Sequence, residues 1–287
     1  MNFPSRWPRW KSEKASKKAT EKTSESVIGN PKRKILVISW GWARWAYALW
    51  IMKAMEECEV KRDIDAIYGV SIWAIVWAVW SNGMKADEIF GLLTSIWVTD
   101  FYWTDILRKS WWFVSNKKIK SLLNKYLPED FEDLEIPFYA WAVDTNSAEY
   151  KLFNEWDLPK IVLGSMSIPW IFPPVIYDKY SLVDWWVLNN FPVDLAKQNY
   201  PDHEIIWIAL NKFKVNQKII SAFDNLMVTF EVIMRSKLLE NTKLVDYLFY
   251  RELPISILSL SKKQIQETFA LWYKDWIKMF KKSKAKK

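Results

Sequence analysis

Cysteine and histidine are almost missing from this chain. One residue of each, Cys58 and His203, occurs in 287, which excludes a disulfide framework and leaves no Cys/His set of the kind that holds zinc. A reducing, cytoplasmic setting is the simplest expectation, and no metal or cofactor is called for. No run approaches the roughly 18 consecutive apolar residues of a membrane span. The basic stretch at residues 1–12 has no apolar segment behind it of the sort that marks a secretory signal. Glycine is the largest shortfall: about 7% is usual, or about 20 residues in a chain this long, and 6 are present. Tryptophan is correspondingly in excess, at 21. The two counts look exchanged.

What is present is a globular composition, 51% hydrophobic and 26% charged, enough to bury a substantial core. The net charge of +8 sits at the ends, with ten Lys/Arg against three Glu in residues 1–34 and seven Lys against one Asp in 274–287, leaving the middle at about −5. Residues 1–33, rich in Ser, Lys, Thr and Glu without apolar periodicity, read as a disordered basic lead-in. Solvated ends are the preferred reading. Peripheral contact with an anionic membrane is the alternative, worth about 1 kcal/mol per Lys or Arg near the surface, and nucleic acid is disfavoured as a partner.

From Lys34 onward strands and helices alternate. Strands are expected at 34–39, 64–70, 137–143, 150–153, 181–183 and 204–210. Helices are expected at about 43–58, 72–82, 85–95 and 116–126, and helical patterns dominate 216–248. Apolar strands separated by helix-period segments point to an α/β fold with a mainly parallel sheet. The expected domain runs over 34–260. Beyond it, 261–287 form an amphipathic helix and Lys-rich tail, with Phe269, Trp272, Tyr273, Trp276 and Phe280 on one face. That face is expected to pack on the domain rather than lie in a membrane interface.

One stretch carries chemistry. Ile67-Tyr-Gly-Val-Ser-Ile-Trp-Ala-Ile-Val-Trp77 places Ser71 between the end of an apolar strand and the start of a helix. That is the position of the nucleophile in a G-x-S-x-G elbow, where small residues two positions to either side let neighbouring backbone come close. Gly69 and Ser71 fit this nucleophile elbow, and Trp73 stands in place of the second glycine. Three further segments complete an ordered set: Trp40-Gly-Trp-Ala-Arg-Trp45 after the first strand, Ile168-Pro-Trp-Ile-Phe-Pro-Pro174, and Asp184-Trp-Trp186 followed by Asn190-Phe-Pro192.

In this order the motifs resemble those of the patatin-like phospholipase family, over residues 34–210. That family has a G-G-G-x-R-G oxyanion loop, the elbow serine, an I-P-G-x-F-P-P loop and a D-G-G or D-G-A motif. The resemblance implies a three-layer α/β/α sandwich and a lipid acyl hydrolase that cleaves carboxylic esters of phospholipids or lysophospholipids. It assigns Ser71 as nucleophile and Asp184 as its base, a dyad in place of a triad. It also assigns an oxyanion hole to the loop of Trp40, Gly41, Trp42, Ala43 and Arg44, with Arg44 bracing the loop.

Every departure from the family pattern is Trp for Gly. Trp50, Trp77, Trp141 and Trp207 also fall at glycine-like places. Added bulk in a packed site costs about 1–3 kcal/mol against a native stability of about 5–15 kcal/mol, so a whole set of such insertions is not expected to be tolerated. Some bacterial lineages read the codon UGA as glycine and others as tryptophan. The expectation is therefore that most of these Trp are glycine codons translated with the wrong table.

Two other classes remain open. With glycine at 40, 42 and 45 the first turn also spells a G-x-G-x-x-G dinucleotide fingerprint, with Asp63 and Asp65 about 20 residues on, although both precede their strand where the fingerprint needs an acid at its end. If the Trp residues are real, the chain is instead a catalytically dead lipid-surface or scaffold protein. The order Ser71, Asp184, His203 matches that of α/β-hydrolase triads. His203 precedes its strand, however, which in a parallel sheet puts it at the edge opposite the other two.

Overall fold

The computed structural model describes residues 33–38, 45–99, 117–169, 172–184, 192–208 and 241–249, together with Tyr273, Trp276, Ile277 and Phe280. All belong to the compact unit Lys32–Lys287. Its centre is an eight-stranded sheet in the order β5-β6-β3-β2-β1-β7-β8, with β4 paired to β3. The strands are β1 (Lys34–Ile38), β2 (Ile64–Val70), β3 (Phe138–Asp144), β4 (Glu149–Phe153), β5 (Val175–Tyr177), β6 (Tyr180–Val183), β7 (Glu204–Ile208) and β8 (Tyr247–Phe249). Strands β3, β2, β1, β7 and β8 run parallel, and β4, β5 and β6 add an antiparallel flank beyond β3. The α/β class and the mainly parallel sheet are those read from the sequence.

Both faces of the sheet are buried, because alternate residues of a strand point to opposite sides. Leu36 and Ile38 of β1 join one core with the helices α1 (Trp45–Glu57) and α2 (Ile72–Ser81). Ile35 and Val37 join a second core with Val193 and Ala196 of α6 (Val193–Asn199). The remaining helices among the described residues, α3 (Ala86–Thr99), α4 (Lys117–Tyr126) and α5 (Leu158–Ser165), contribute to the first core. Trp276 and Phe280 close it, their rings 4.7 and 5.0 Å from that of Phe249, so these members of the expected C-terminal apolar face do pack on the domain.

Four elements depart from the sequence reading. Helical patterning covered 216–248, yet Tyr247–Phe249 is a strand that pairs in parallel with Ile206–Ile208. Helices α5 and α6 and strand β5 are not among the expected elements. Each is too short for hydrophobic periodicity to stand out, and α5 starts instead on local chemistry: the Asp157 side chain accepts from the Lys160 N–H, and Pro159 stands in its first turn. Among the described residues no helix is long and apolar enough to cross a membrane.

Candidate active site

Strand β2 delivers Ser71 to the carboxyl-terminal edge of the parallel strands, where open α/β sheets bind their ligands. The chain turns there within one residue. Ser71 has φ 58° and ψ −147° and lies directly before the first residue of α2, a sparsely populated backbone state that persists only where the surroundings over-determine it. The elbow needs a residue without Cβ at 69. A Cβ on Gly69 would stand 2.6 Å from the Phe138 ring and 3.3 Å from the Ala74 Cα, so glycine lets strand and helix close on each other.

Asp184 follows directly on β6 and is fixed by its own backbone, its N–H donating to the Ser167 carbonyl at 2.8 Å. The Ser71 hydroxyl donates to Asp184 Oδ2 at 2.5 Å, a bond that joins residues 113 apart in the chain. Ser71 is 1% and Asp184 0% exposed. A short hydrogen bond from a hydroxyl to a carboxylate in a dry site is of the strong, charge-assisted kind. It supplies what a serine nucleophile lacks at its own pKa, a base within reach of its proton.

The last residue of α5 and the turn after it touch both partners. Ser165 Oγ accepts the Ser71 N–H at 3.1 Å and donates to the Trp141 carbonyl at 2.6 Å. Ser167 Oγ donates to the Leu163 carbonyl at 2.8 Å, which anchors the carbonyl that holds Asp184. The helix lies close because Gly164 faces Leu182, whose Cβ would be 2.7 Å from a Cβ at 164. Neither serine was singled out from the sequence. The only local signal was their place just before Ile168-Pro169, since their partners are remote in the chain.

His203 stands at the other edge. Its Nε2 is 2.9 Å from Asp65 Oδ2, and Asp65 also accepts from Arg33 Nε at 2.8 Å. Lys34 lies 3.8 Å from Asp63 and 3.6 Å from Glu204. The acidic residues weighed for a dinucleotide site are thus engaged in ion pairs at the start of β2. Among the described residues no group of three or more His, Cys, Asp or Glu is placed to hold a metal ion.

The oxyanion-loop residues Trp40, Gly41, Trp42, Ala43 and Arg44 lie outside the described residues, as do Trp170, Trp185, Trp186 and Asn190. Of the other Trp positions, Trp73, Trp77, Trp80 and Trp141 are fully buried. Trp80 satisfies its indole N–H, donating to Glu56 Oε1 at 2.6 Å, and the Lys61 ammonium sits 4.6 Å from its ring. The buried indole N–H groups of Trp77 and Trp141 have no acceptor among the described residues. Trp156, which lies outside the motifs, has φ 75°, the left-handed region where a bulky side chain is a genuine outlier.

A family model described as patatin-like phospholipase matches residues 36–197. Patatin-like phospholipase domain-containing protein 7 of Rattus norvegicus is 26% identical over 172 residues, covering 56% of this chain and 12% of the relative. Neuropathy target esterase sws of Drosophila melanogaster is 27% identical over 176 residues, with the same 56% and 12% coverage. The chain therefore spans only a small part of the length of the curated relatives it matches. Among solved structures, VipD from Legionella pneumophila aligns with a TM-score of 0.48 at 12% identity, covering 81% of this chain and 59% of that one.

Proposed function

We propose that this chain, which belongs to the patatin-like phospholipase family, is a serine hydrolase that cleaves carboxylic esters of phospholipids or lysophospholipids through Ser71 and Asp184. The observation that carries the proposal is the buried 2.5 Å hydrogen bond from Ser71 Oγ to Asp184 Oδ2. Ser71 Oγ attacks the ester carbonyl carbon as its proton passes to Asp184. The tetrahedral oxyanion accepts from backbone N–H groups. The Ile72 N–H is well suited, because the first N–H groups of a helix have no intrahelical partner and lie at its positive end, and the loop at residues 40–43 supplies the rest. Asp184 then returns the proton to the leaving alcohol, giving an acyl-serine. Water repeats the sequence in reverse: Asp184 takes its proton, the acid leaves, and Ser71 Oγ recovers its hydrogen. The test is hydrolysis of a phospholipid and a lysophospholipid by the full chain and by Ser71→Ala and Asp184→Asn. Activity that survives either substitution would sink the proposal.

A specific set of observations favours a second reading, that the protein made in its own host carries glycine at the motif positions 40, 42, 45, 73, 170, 185 and 186, at 50, 77, 141 and 207, and at 156. The left-handed backbone of Trp156 and the unmet indole donors of Trp77 and Trp141 support it, since buried indole N–H groups normally find a partner and an unmade bond costs about 1–3 kcal/mol. Trp80, with its indole donor satisfied, is read as a true tryptophan. Oxyanion donors must stand about 3 Å from the developing charge, an approach that indoles on the 40–43 loop would obstruct. Codons decide it: UGA at these positions and UGG at 80 is expected, matched by the intact mass of the native protein. UGG throughout would instead mark a catalytically dead lipid-surface protein.

A further inference from the structure

Parallel strands β2 and β3 are zipped in two-residue steps, and the zip is interrupted at the nucleophile. The Ile67 N–H donates to the Pro137 carbonyl at 2.9 Å, and the register that pairs Ile67 with Phe138 continues to Val70 opposite Trp141. With a two-residue repeat along a parallel ladder, the Gly69 N–H belongs to the Tyr139 carbonyl and the Ser71 N–H to the Trp141 carbonyl. At that last rung the Ser165 hydroxyl stands between the two strands. It accepts from Ser71 N at 3.1 Å and donates to the Trp141 carbonyl at 2.6 Å. The site is fully buried, with Ser165 itself 0% exposed.

We propose that Ser165 is a positioning residue for the Ser71–Asp184 dyad: its hydroxyl, inserted as an extra link in the β2–β3 ladder, holds the strands apart by one oxygen and sets the backbone turn that aims Ser71 Oγ at Asp184. The inference rests on the dyad reading above. Three features support it. The hydroxyl is used in both senses, as acceptor and donor, so it completes the rung rather than merely filling space. The link begins on the backbone of Ser71 itself, which holds φ 58° at the turn from β2 into α2. The same turn of chain also fixes the other partner, since the Ser167 carbonyl accepts the Asp184 N–H at 2.8 Å. Ser165 and Ser167 thus tie nucleophile and base to the end of α5 and the turn that follows it. The acceptor on β3 is a main-chain carbonyl, so the link is the same whether residue 141 is tryptophan or glycine. The Ser71 N–H is spent in this link, which leaves oxyanion binding to Ile72 and the 40–43 loop.

The test compares Ser165→Ala and Ser165→Thr with the full-length chain as its own host translates it. In Ser165→Ala the ladder is expected to close by one rung, bringing the Ser71 N–H directly onto the Trp141 carbonyl in a crystal structure and drawing Ser71 Oγ away from Asp184. A displacement of about 1 Å costs about 10²-fold in rate, so kcat and fluorophosphonate labelling of Ser71 should fall by about that factor with KM unchanged. Threonine keeps the hydroxyl and should restore most of the rate. A role in stability alone would lower the melting temperature of both variants without this split. Unchanged strand separation in Ser165→Ala, or wild-type kcat, overturns the proposal. Activity that persists in Ser71→Ala would instead strike at the dyad itself, so the two failures are told apart.

Discussion

At the start of β2, Asp65 binds the Arg33 guanidinium and the His203 imidazole; just past the other end of the same strand, Ser71 is hydrogen-bonded to Asp184. The residue types of a complete Ser-His-Asp triad are present, divided by the length of one strand. The Asp65 and His203 side chains are 25% and 24% exposed, so water and salt reach their pair and screen it in part. Ser71 and Asp184 are sealed at 1% and 0%, where the same kind of contact is stronger and the proton has no competing acceptor in bulk water. A carboxylate beside a proton carrier is ordinary wherever strands begin and end. What separates the two ends of β2 is dryness and the bracing that α5 provides.

The largest effect that would break this contrast is loss of function at the sealed end. Ser71→Ala and Asp184→Asn should each lower ester hydrolysis by about 10⁴-fold or more, measured as kcat/KM, while both variants keep a cooperative thermal transition. A smaller effect is expected from Gly164→Ala, whose new Cβ meets Leu182 at 2.7 Å. Pushing α5 off the sheet should cost about 1–3 kcal/mol in urea unfolding and lower kcat as well, because the helix carries Ser165. Destabilisation with kcat untouched would show that the brace is not coupled to the site.

Smaller still is an acid effect on the strand that α5 grips. Burial pushes the Asp144 carboxyl up, but hydrogen bonds from the Ser181 N–H, the Ser147 hydroxyl and the Asn146 and Ser147 N–H groups outweigh it and hold its pKa below the usual value. A folded pKa below the unfolded one contributes stability that is present above the unfolded pKa and is lost as pH falls through the folded value. The unfolding midpoint should therefore drop below about pH 4, and Asp144→Asn should flatten part of that slope. The smallest effect belongs to the wet end of β2. His203→Ala should leave hydrolysis of the same order as the parent and change stability by at most about 1 kcal/mol; a collapse of activity would make the histidine a catalytic partner after all.

Ser71 was legible because an elbow is local chemistry: an apolar strand, a glycine two residues before the serine, and a helix directly after it. Asp184 was legible only through the ordered motifs around it, since nothing in its neighbours sets it apart from a turn aspartate. Ser165 was not legible. Its link to Ser71 spans 94 residues and its link to Trp141 spans 24, and no periodicity reports a hydroxyl wedged between strands. Strand β8 was hidden for a similar reason: three residues, Tyr247-Leu-Phe249, become a strand because the edge of β7 offers them a ladder.

By itself the sequence determined the alternation of elements, the ordered motifs with their elbow serine, and the surplus of tryptophan over glycine, because periodicity, turn chemistry and composition are local or additive. Tertiary structure decided that Asp184 meets the serine and His203 does not, that Ser165 links Ser71 to β3, and that Trp80 finds an acceptor for its indole. These are distances between residues remote in the chain, and they exist only once both faces of the sheet are covered and water is shut out.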